Sequence, residues 1–312
     1  MNATETKISG FVITYNSGPI LDTCLRSLRF VDELIVVDKS STDETPAISS
    51  RYADTVINVP WSPLPTETRL VALNACSHDF IIYLDHDECL NVDGIRWVKE
   101  NAGTHPGEVF RFPKCEYVMG MHDPDAYYWP MMNVRAFRRG AAEFVRTLHE
   151  EVRLLTPDIS LFDIPYDTGV RIHNLSHRDA YQWIEKTNRY TAERDRISTF
   201  DATTPLESFG QERIAYWLSQ SRSRSDSVVA AALLRAVYDI VDRVKLWEAN
   251  EGIDGDAAFA AVCSAMQASY DEYESELVTA AGLAEISTLA ASADASRLGT
   301  AFKRLTRRHR TL

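Results

Sequence analysis

Three acidic side chains follow a short apolar run in the first third of the chain. Residues 79–88 read DFIIYLDHDE, and residues 80–84 are β-branched, aromatic or otherwise apolar on both faces. Such a run is typical of a strand buried in the middle of a parallel sheet. Ligands of open α/β sheets bind beyond the carboxyl ends of the strands, where we expect Asp85 and Asp87. The two carboxylates repel each other, and Mg²⁺ or Mn²⁺ would relieve that repulsion while leaving positions for phosphate oxygens.

A polar turn is the more common explanation of an isolated Asp-x-Asp, because acids are frequent in turns. The preceding sequence favours a site. It predicts strands at 8–14, 33–38, 55–60 and 80–84. It also predicts three helices: one at 17–30, one that is capped by residues 41–44 and reaches residue 53, and one at 66–77. This alternation predicts a doubly wound α/β sheet. Polar groups end three of the strands and should meet at one edge: Thr14, Tyr15 and Asn16, then Asp38, then Asp85 and Asp87.

The pattern at this edge suits a nucleoside diphosphate. A metal-held diphosphate near Asp85 and Asp87, with its base and ribose towards Tyr15 and Asp38, would use the whole edge. No Gly-x-Gly-x-x-Gly follows the first strand and no Gly-Lys-Ser/Thr loop occurs, which disfavours dinucleotide dehydrogenases and P-loop enzymes. The net charge of −12 argues against nucleic acid as a partner.

The cellular setting is also indicated by composition. Five scattered cysteines without a Cys-x-x-Cys pair are typical of reduced thiols in a cytoplasm. No apolar run approaches the roughly 20 residues that cross a bilayer. A basic tail could rest on the anionic surface of an inner membrane, although a solvated tail is the commoner explanation. Its charges are Lys303, Arg304, Arg307, Arg308 and Arg310.

The second half of the chain changes character twice. Strand-like segments at 108–113, 132–138 and 151–155 alternate with loops rich in aromatic residues, notably YYWP at 127–130. Aromatic rings suit the apolar faces of sugars, but core packing is favoured for any single ring. From about residue 178 the apolar spacing is helical.

In their order, these segments resemble a family-2 glycosyltransferase with the type-A (GT-A) fold. The resemblance is carried by FVITYN at 11–16, VVDKSSTDET at 36–45, TRLVALNACSHDFIIYLDHDE at 68–88, VRAFRRG at 134–140 and LHEEV at 148–152. The later segments are similar to lipopolysaccharide-core β-glucosyltransferases. The resemblance implies a GT-A domain over 1–177, with a nucleotide-binding half at 1–92 and an acceptor-side half at 93–177. A helical region with the basic tail would occupy 178–312.

Roles for the nucleotide-binding residues follow from the resemblance. Tyr15 would stack on the base, with Thr14 and Asn16 beside it in the same motif. Asp38 would accept a hydrogen bond from uracil N3–H or the ribose, which favours UDP. Arg69 would bind the diphosphate, since a guanidinium can span two oxygens.

The resemblance also implies a metal and a base. Asp87 would bind Mn²⁺ or Mg²⁺ directly, and Asp85 would contact the ribose or the metal through water. His173 or His177 could complete the metal shell. Inverting transfer requires a carboxylate that takes the proton of the acceptor hydroxyl. Its place in LHEEV assigns Glu150 to that role, with Glu151 as the alternative.

The expected protein is therefore a cytoplasmic, metal-dependent inverting glycosyltransferase. It would move a hexose, most simply glucose from UDP-glucose, onto a bacterial surface glycan or glycolipid such as lipopolysaccharide core. Two alternatives stay open at the level of sequence. One keeps the fold with a GDP- or dTDP-sugar or a protein acceptor, and the other is a sugar-nucleotide-binding protein without catalysis.

Overall fold

The computed structural model describes residues 6–62, 65–145, 152–192 and 203–291. It divides after Trp247 into two compact units. The first elements are β1 (Ile8–Thr14), α1 (Gly18–Ser27), β2 (Glu33–Asp38), α2 (Thr45–Tyr52), β3 (Thr55–Asn58), α3 (Thr66–Ala75) and β4 (Phe80–Asp85). Every strand and helix predicted over this stretch is present, with boundaries within a few residues, because apolar runs and turn residues alternate clearly here.

The rest of the first unit adds shorter strands and then helices. The strands are β5 (Glu88–Leu90), β6 (Val109–Val118), β7 (Met131–Arg138), β8 (Ala142–Phe144), β9 (Val152–Leu154), β10 (Leu161–Asp163) and β11 (Ile172–His177). The helices are α4 (Val92–Asn101), α5 (Ala180–Tyr190), α6 (Leu206–Ser219) and α7 (Asp226–Asn250), which runs across the division between the units. The second unit contains α8 (Gly255–Ala291).

In the described residues, the main sheet has nine strands in the order β3-β2-β1-β4-β7-β6-β11-β5, with β10 beside β6. Strand β1 is parallel to both β2 and β4. The expected α/β fold with a mainly parallel sheet is therefore confirmed. The expectation of parallel neighbours on both sides of β4 was wrong on one side, since β7 is antiparallel to β4. The reason is local: β6 and β7 are joined without a crossover helix and pair antiparallel to each other.

Two apolar layers cover the sheet and hold its edge in place. One layer packs α1 and α4 against β1 and β4, for example through Leu25 and Val98. The other packs α3 and the β8–β9 hairpin, for example through Ala72 and Phe144. Strand β1 is buried along its whole length. The central strands are thus fixed on both faces, and their polar ends are the part left for a ligand.

Helices α5 and α7 belong to the same compact unit as the sheet up to Trp247. A third apolar cluster joins Trp183 of α5 and Val228 of α7 to Tyr128. Tyr128 is buried at 3% exposure, as the core interpretation of the aromatic loop expected. The division into residues 1–177 and 178–312 stays a prediction. Within the described ranges, no helix combines the length and the hydropathy needed to cross a bilayer, and the basic tail at 303–310 lies outside them.

Candidate active site

The ends of three adjacent strands meet at one edge of the sheet. The register places Thr14 opposite Asp38 on β2, and Ile13 opposite Asp85 on β4. The backbone N–H of Lys39 donates to the carbonyl oxygen of Thr14 at 2.9 Å, which continues the pairing past the strand ends. The structure therefore brings together the polar strand ends that the sequence predicted to converge.

Asn16 ties together the loops that follow β1 and β2. Its φ of +45° lies in the left-handed region, which Asn adopts more readily than most residues. Its Oδ1 accepts a hydrogen bond from the backbone N–H of Thr42 at 2.8 Å, and its own N–H donates to Ser41 Oγ at 2.9 Å. Thr14 is buried, with its Oγ1 2.7 Å from Ser17 Oγ. These two predicted residues shape the loops.

Asp38 also contacts the loop after its strand. The residue is only 1% exposed. Its Oδ1 accepts hydrogen bonds from Ser41, at 3.2 Å from the backbone nitrogen and 2.5 Å from Oγ. In this structure Asp38 therefore orders the loop beside the strand edge, and a contact with uracil or ribose stays a prediction.

Two exposed aromatic rings stand beside this loop. Tyr15 is 37% exposed and Trp61 is 53% exposed, and their ring centroids are 6.1 Å apart. Lys39 Nζ lies 6.0 Å from the centre of the Trp61 ring. Flat aromatic surfaces with polar rims suit the stacking of a nucleobase. Neither Trp61 nor Lys39 was among the predicted site residues. The available signal was a tryptophan directly after Pro60, just past the end of β3.

Arg69 and Asp85 form a buried ion pair at the centre of the edge. Arg69 is 5% exposed, and its Nη2 lies 2.6 Å from Asp85 Oδ1. Arg135 Nη2 approaches the other oxygen, Oδ2, at 3.2 Å. Burial by itself would raise the pKa of Asp85, but the two arginines outweigh it and hold that pKa well below its usual range. Asp85 is thus an ionised carboxylate engaged by two guanidinium groups, which suits it to organising the site more than to binding a metal.

Arg135 is a component of the site that the sequence analysis missed. It is 1% exposed and makes two hydrogen bonds of 2.7 Å to the two oxygens of Glu88. Its guanidinium also lies 5.0 Å from the centre of the Tyr83 ring. A charged residue inside the apolar strand MMNVRAFR was the available signal, because a fully buried arginine needs a partner. Arg135 connects β7 to the loop that carries Asp85 and Asp87.

Asp87 faces helix α5. Its Oδ2 lies 3.3 Å from Lys186 Nζ, and the side chains are 14% and 17% exposed. Its carbonyl oxygen accepts a hydrogen bond from the backbone N–H of Leu175 on β11 at 2.8 Å. Lys186 was also missed by sequence reasoning. Two elements that are distant in sequence thus position Asp87.

The structure distinguishes the two histidines on β11. Burial, followed by the charge of Lys186, lowers the pKa of His177 to about 4, while Asp87 opposes that shift. His177 is therefore an electrostatic neighbour of Asp87 and Lys186, and its Nδ1 lies 2.8 Å from Ser176 Oγ. For His173, burial followed by His122 and Arg171 lowers the pKa. Its Nδ1 contacts Tyr117 Oη at 3.0 Å.

The side chains at this edge provide only part of the ligands that a divalent metal needs, and a bound molecule would have to provide the others. The described residues contain no group of three His, Cys, Asp or Glu side chains arranged to hold a metal. Asp87 offers a carboxylate, and His177 offers a neutral imidazole. Mg²⁺ commonly binds one or two carboxylates together with substrate phosphates, and the same arrangement fits here. A metal here would thus depend on phosphate oxygens of the bound molecule to complete its coordination shell.

Both candidates for the catalytic base, Glu150 and Glu151, lie outside the described residues. The described chain that precedes them, up to residue 145, packs against β4 and α3. The Phe144 ring packs edge-on against Tyr83, with centroids 5.1 Å apart. The carbonyl oxygen of Val145 accepts a hydrogen bond from Thr66 Oγ1 at 3.1 Å.

Acids, cations and exposed aromatic rings at the carboxyl edge of a mainly parallel sheet are typical of nucleotide-binding α/β proteins. The comparison with known families narrows this class. Residues 9–116 match the family model "Glycosyl transferase family 2". Residues 9–116 of this chain are therefore similar to family 2, as its sequence motifs indicated.

Three relatives illustrate the likeness. An uncharacterised glycosyltransferase of Rickettsia felis is 26% identical over 216 residues, which cover 64% of this chain and 76% of the relative. The lipopolysaccharide core biosynthesis glycosyltransferase LpsC of Rhizobium meliloti is 26% identical over 144 residues, 44% of this chain and 53% of LpsC. The poly(ribitol-phosphate) β-N-acetylglucosaminyltransferase TarS of Staphylococcus aureus is 32% identical over 134 residues, 39% of this chain and 23% of TarS. The alignment with a crystal structure of TarS residues 1–349 covers 80% of this chain and 93% of the TarS chain, with 17% identity and a TM-score of 0.40.

Proposed function

We propose that this protein is a metal-dependent inverting glycosyltransferase that moves a hexose, most simply glucose from UDP-glucose, onto a bacterial surface glycan or glycolipid. The observation that carries the proposal is the convergence of Thr14, Asp38 and Asp85 on neighbouring strands, with Asp87 two residues further on. The match of residues 9–116 to the family-2 model supports the reaction class. The donor, the stereochemistry and the metal are parts of the proposal.

In the proposed complex the nucleotide lies along the sheet edge from Tyr15 to Asp87. Tyr15 and Trp61 stack on the base, and Asp38 accepts its N3–H or a ribose hydroxyl. Asp87 and His177 would hold a divalent metal, while Asp85 stays bound to its arginines and fixes the end of its strand. The metal would supply positive charge against the negative charge that builds on the departing diphosphate.

The protein's own groups carry out the remaining steps. Glu150, or Glu151 in its place, takes the proton from the acceptor hydroxyl as the oxygen attacks the anomeric carbon. Attack from the face opposite the diphosphate inverts the anomeric configuration. Lys39 is a further cation near the diphosphate path: burial, followed by Arg189 and Arg69, lowers its pKa, which places those two guanidinium groups in its surroundings.

The acceptor class is proposed from the printed functions of two relatives. LpsC acts in lipopolysaccharide core biosynthesis, and TarS modifies poly(ribitol-phosphate). Both products are bacterial envelope glycans. We propose an acceptor of the same general class, reached from the cytoplasm, where reduced thiols such as the buried Cys24 and Cys76 persist. Contact of the tail at 303–310 with an anionic inner-membrane surface is part of this proposal.

The test is calorimetry of UDP binding with Mn²⁺, with EDTA, and with the Asp87→Asn variant, which keeps side-chain volume. We expect UDP to bind with Mn²⁺ and to bind at least tenfold more weakly with EDTA or in the variant. The control is Asp93→Asn, since Asp93 is an exposed residue on α4 paired with Arg96. That variant should bind UDP like the wild type.

Two outcomes would contradict parts of the proposal. Binding of GDP or dTDP without UDP would exclude the uracil assignment, and binding of no nucleotide would exclude the donor site. Where UDP binds, incubation with UDP-glucose and acceptor extracts, followed by NMR of the anomeric proton, tests the stereochemistry. An α-linked product would contradict inversion.

A further inference from the structure

We propose that Lys186 acts as a place-holding cation: it neutralises Asp87 while the donor site is empty and moves to the donor's diphosphate when a metal occupies Asp87. This inference rests on the proposed function and names how the same site exchanges its charges. The observation behind it is the Lys186 Nζ–Asp87 Oδ2 distance of 3.3 Å between two largely buried side chains.

A metal and Lys186 would compete for Oδ2 of Asp87, the oxygen that Lys186 contacts. A divalent ion sits about 2.0–2.1 Å from a carboxylate oxygen when that ion is Mg²⁺. An ammonium and a divalent ion a few ångströms apart also repel each other, more strongly where burial excludes water. A metal bound at Oδ2 would therefore displace Lys186 from Asp87. Its flexible stem of four carbons allows the movement without displacing the helix.

The surroundings of Lys186 favour a polyanion as its second partner. Arg189 lies one helical turn further along α5, on a neighbouring position of the same surface. Arg189 and Arg69 both lower the pKa of Lys39, after the larger effect of burial. Cations from α3, α5 and the loop after β2 thus repel one another around this end of the sheet. A diphosphate would relieve that repulsion, and Lys186 can donate up to three hydrogen bonds to it.

Helix α5 is held in place by contacts other than the Lys186 ion pair. Trp183 Nε1 donates to the carbonyl oxygen of Leu234 on α7 at 3.1 Å. Lys245, also on α7, donates to the carbonyl oxygen of Asn188 at 2.9 Å and to Thr191 Oγ1 at 2.9 Å. A purely structural role for Lys186 would duplicate these anchors. The ion pair with Asp87 is thus available for exchange.

The test measures two affinities in one variant, Lys186→Met, which keeps the length of the stem and removes the charge. Mn²⁺ binding without nucleotide, which is weak in the wild type because a diphosphate would supply part of the metal's ligands, is titrated through the EPR signal of free Mn²⁺. UDP binding at saturating Mn²⁺ is followed by calorimetry. We expect Mn²⁺ to bind about tenfold more tightly and UDP about tenfold more weakly than in the wild type, the size typical of one charged contact. Lys186→Arg should restore UDP binding. Lys245→Met, which loosens α5 without touching Asp87, should leave both affinities near the wild-type values.

The opposite signs of the two changes make the test specific. If both affinities fall together in Lys186→Met, the residue only supports the fold, and the proposal is overturned. Unchanged affinities in a folded variant overturn it as well, and Lys186→Gln, which also removes the charge, supplies the same comparison if the Met variant does not fold. If the wild-type protein binds neither Mn²⁺ nor UDP, the donor-site proposal itself fails. If the wild type binds Mn²⁺ and UDP but Lys186→Met changes neither affinity, only the proposal for Lys186 fails.

Discussion

Arg135 is expected to be the most sensitive charged residue at the sheet edge. Its side chain is 1% exposed and that of Glu88 is 0% exposed. The Arg135→Met substitution keeps most of the apolar stem, but it leaves Glu88 buried without its guanidinium partner. It also removes one of the two arginines that hold Asp85. We therefore expect a large loss of stability together with a weakened donor site.

The size of the effect follows from the contacts that are lost. Removing one partner of a buried ion pair costs about 3–5 kcal/mol of unfolding free energy, because the remaining charge is uncompensated. For a unit of about this size each kcal/mol lowers the melting temperature by roughly 2–4 °C, which predicts a decrease of about 6–20 °C. Glu88→Gln should also be costly. The double variant should be less destabilised than the sum of the two, with a coupling free energy of about 2–3 kcal/mol.

Urea unfolding followed by circular dichroism, and thermal melts of all variants, measure these quantities. Arg96→Met is the matched control, because Arg96 pairs with Asp93 on the surface at 68% and 51% exposure. An exposed pair of this kind contributes at most about 1 kcal/mol. The reasoning is refuted if Arg135→Met destabilises the protein no more than Arg96→Met. Simple additivity of Arg135→Met and Glu88→Gln would refute the coupling.

Three further predictions concern other parts of the chain. Tyr15→Ala and Trp61→Ala should each weaken UDP binding by about 1–3 kcal/mol in calorimetry, since stacking on a base is worth that much, and unchanged affinity would remove the ring from the base site. In native protein at pH 8, a thiol reagent should label Cys263, which is exposed, far faster than the four buried or half-buried cysteines. Mass spectrometry measures the labelling, and rapid labelling of all five would contradict the packing. Asp179→Ala should destabilise α5 by about 1 kcal/mol in urea unfolding, because the Asp179 side chain caps the backbone N–H of Gln182 at 2.7 Å, and an unchanged midpoint would count against that cap.

Local sequence was enough to predict the strands and their polar ends. The apolar runs of β1, β2 and β4 fix the strands, because such segments bury both faces in a central sheet. Acids directly after two of these runs then had to lie at the carboxyl edge. The position of the candidate site therefore followed from short local segments, whereas the reaction class followed from the resemblance of the ordered motifs to family 2. The roles of the individual residues stay predictions.

The partners of those acids were decided only by the tertiary structure. Asp85 is bound by Arg135, which is 50 residues away in the chain, and Asp87 is bound by Lys186, which is 99 residues away. Arg135 stands out in the sequence only as a charge inside an apolar strand, and neither residue's partner can be read from its own segment. The antiparallel pairing of β7 with β4 brings the first into reach, and the packing of α5 brings the second. The sequence by itself determined where the carboxylates lie, because strand ends are set by local apolar patterns. The tertiary structure determined which cations face them, because that depends on how distant segments pack.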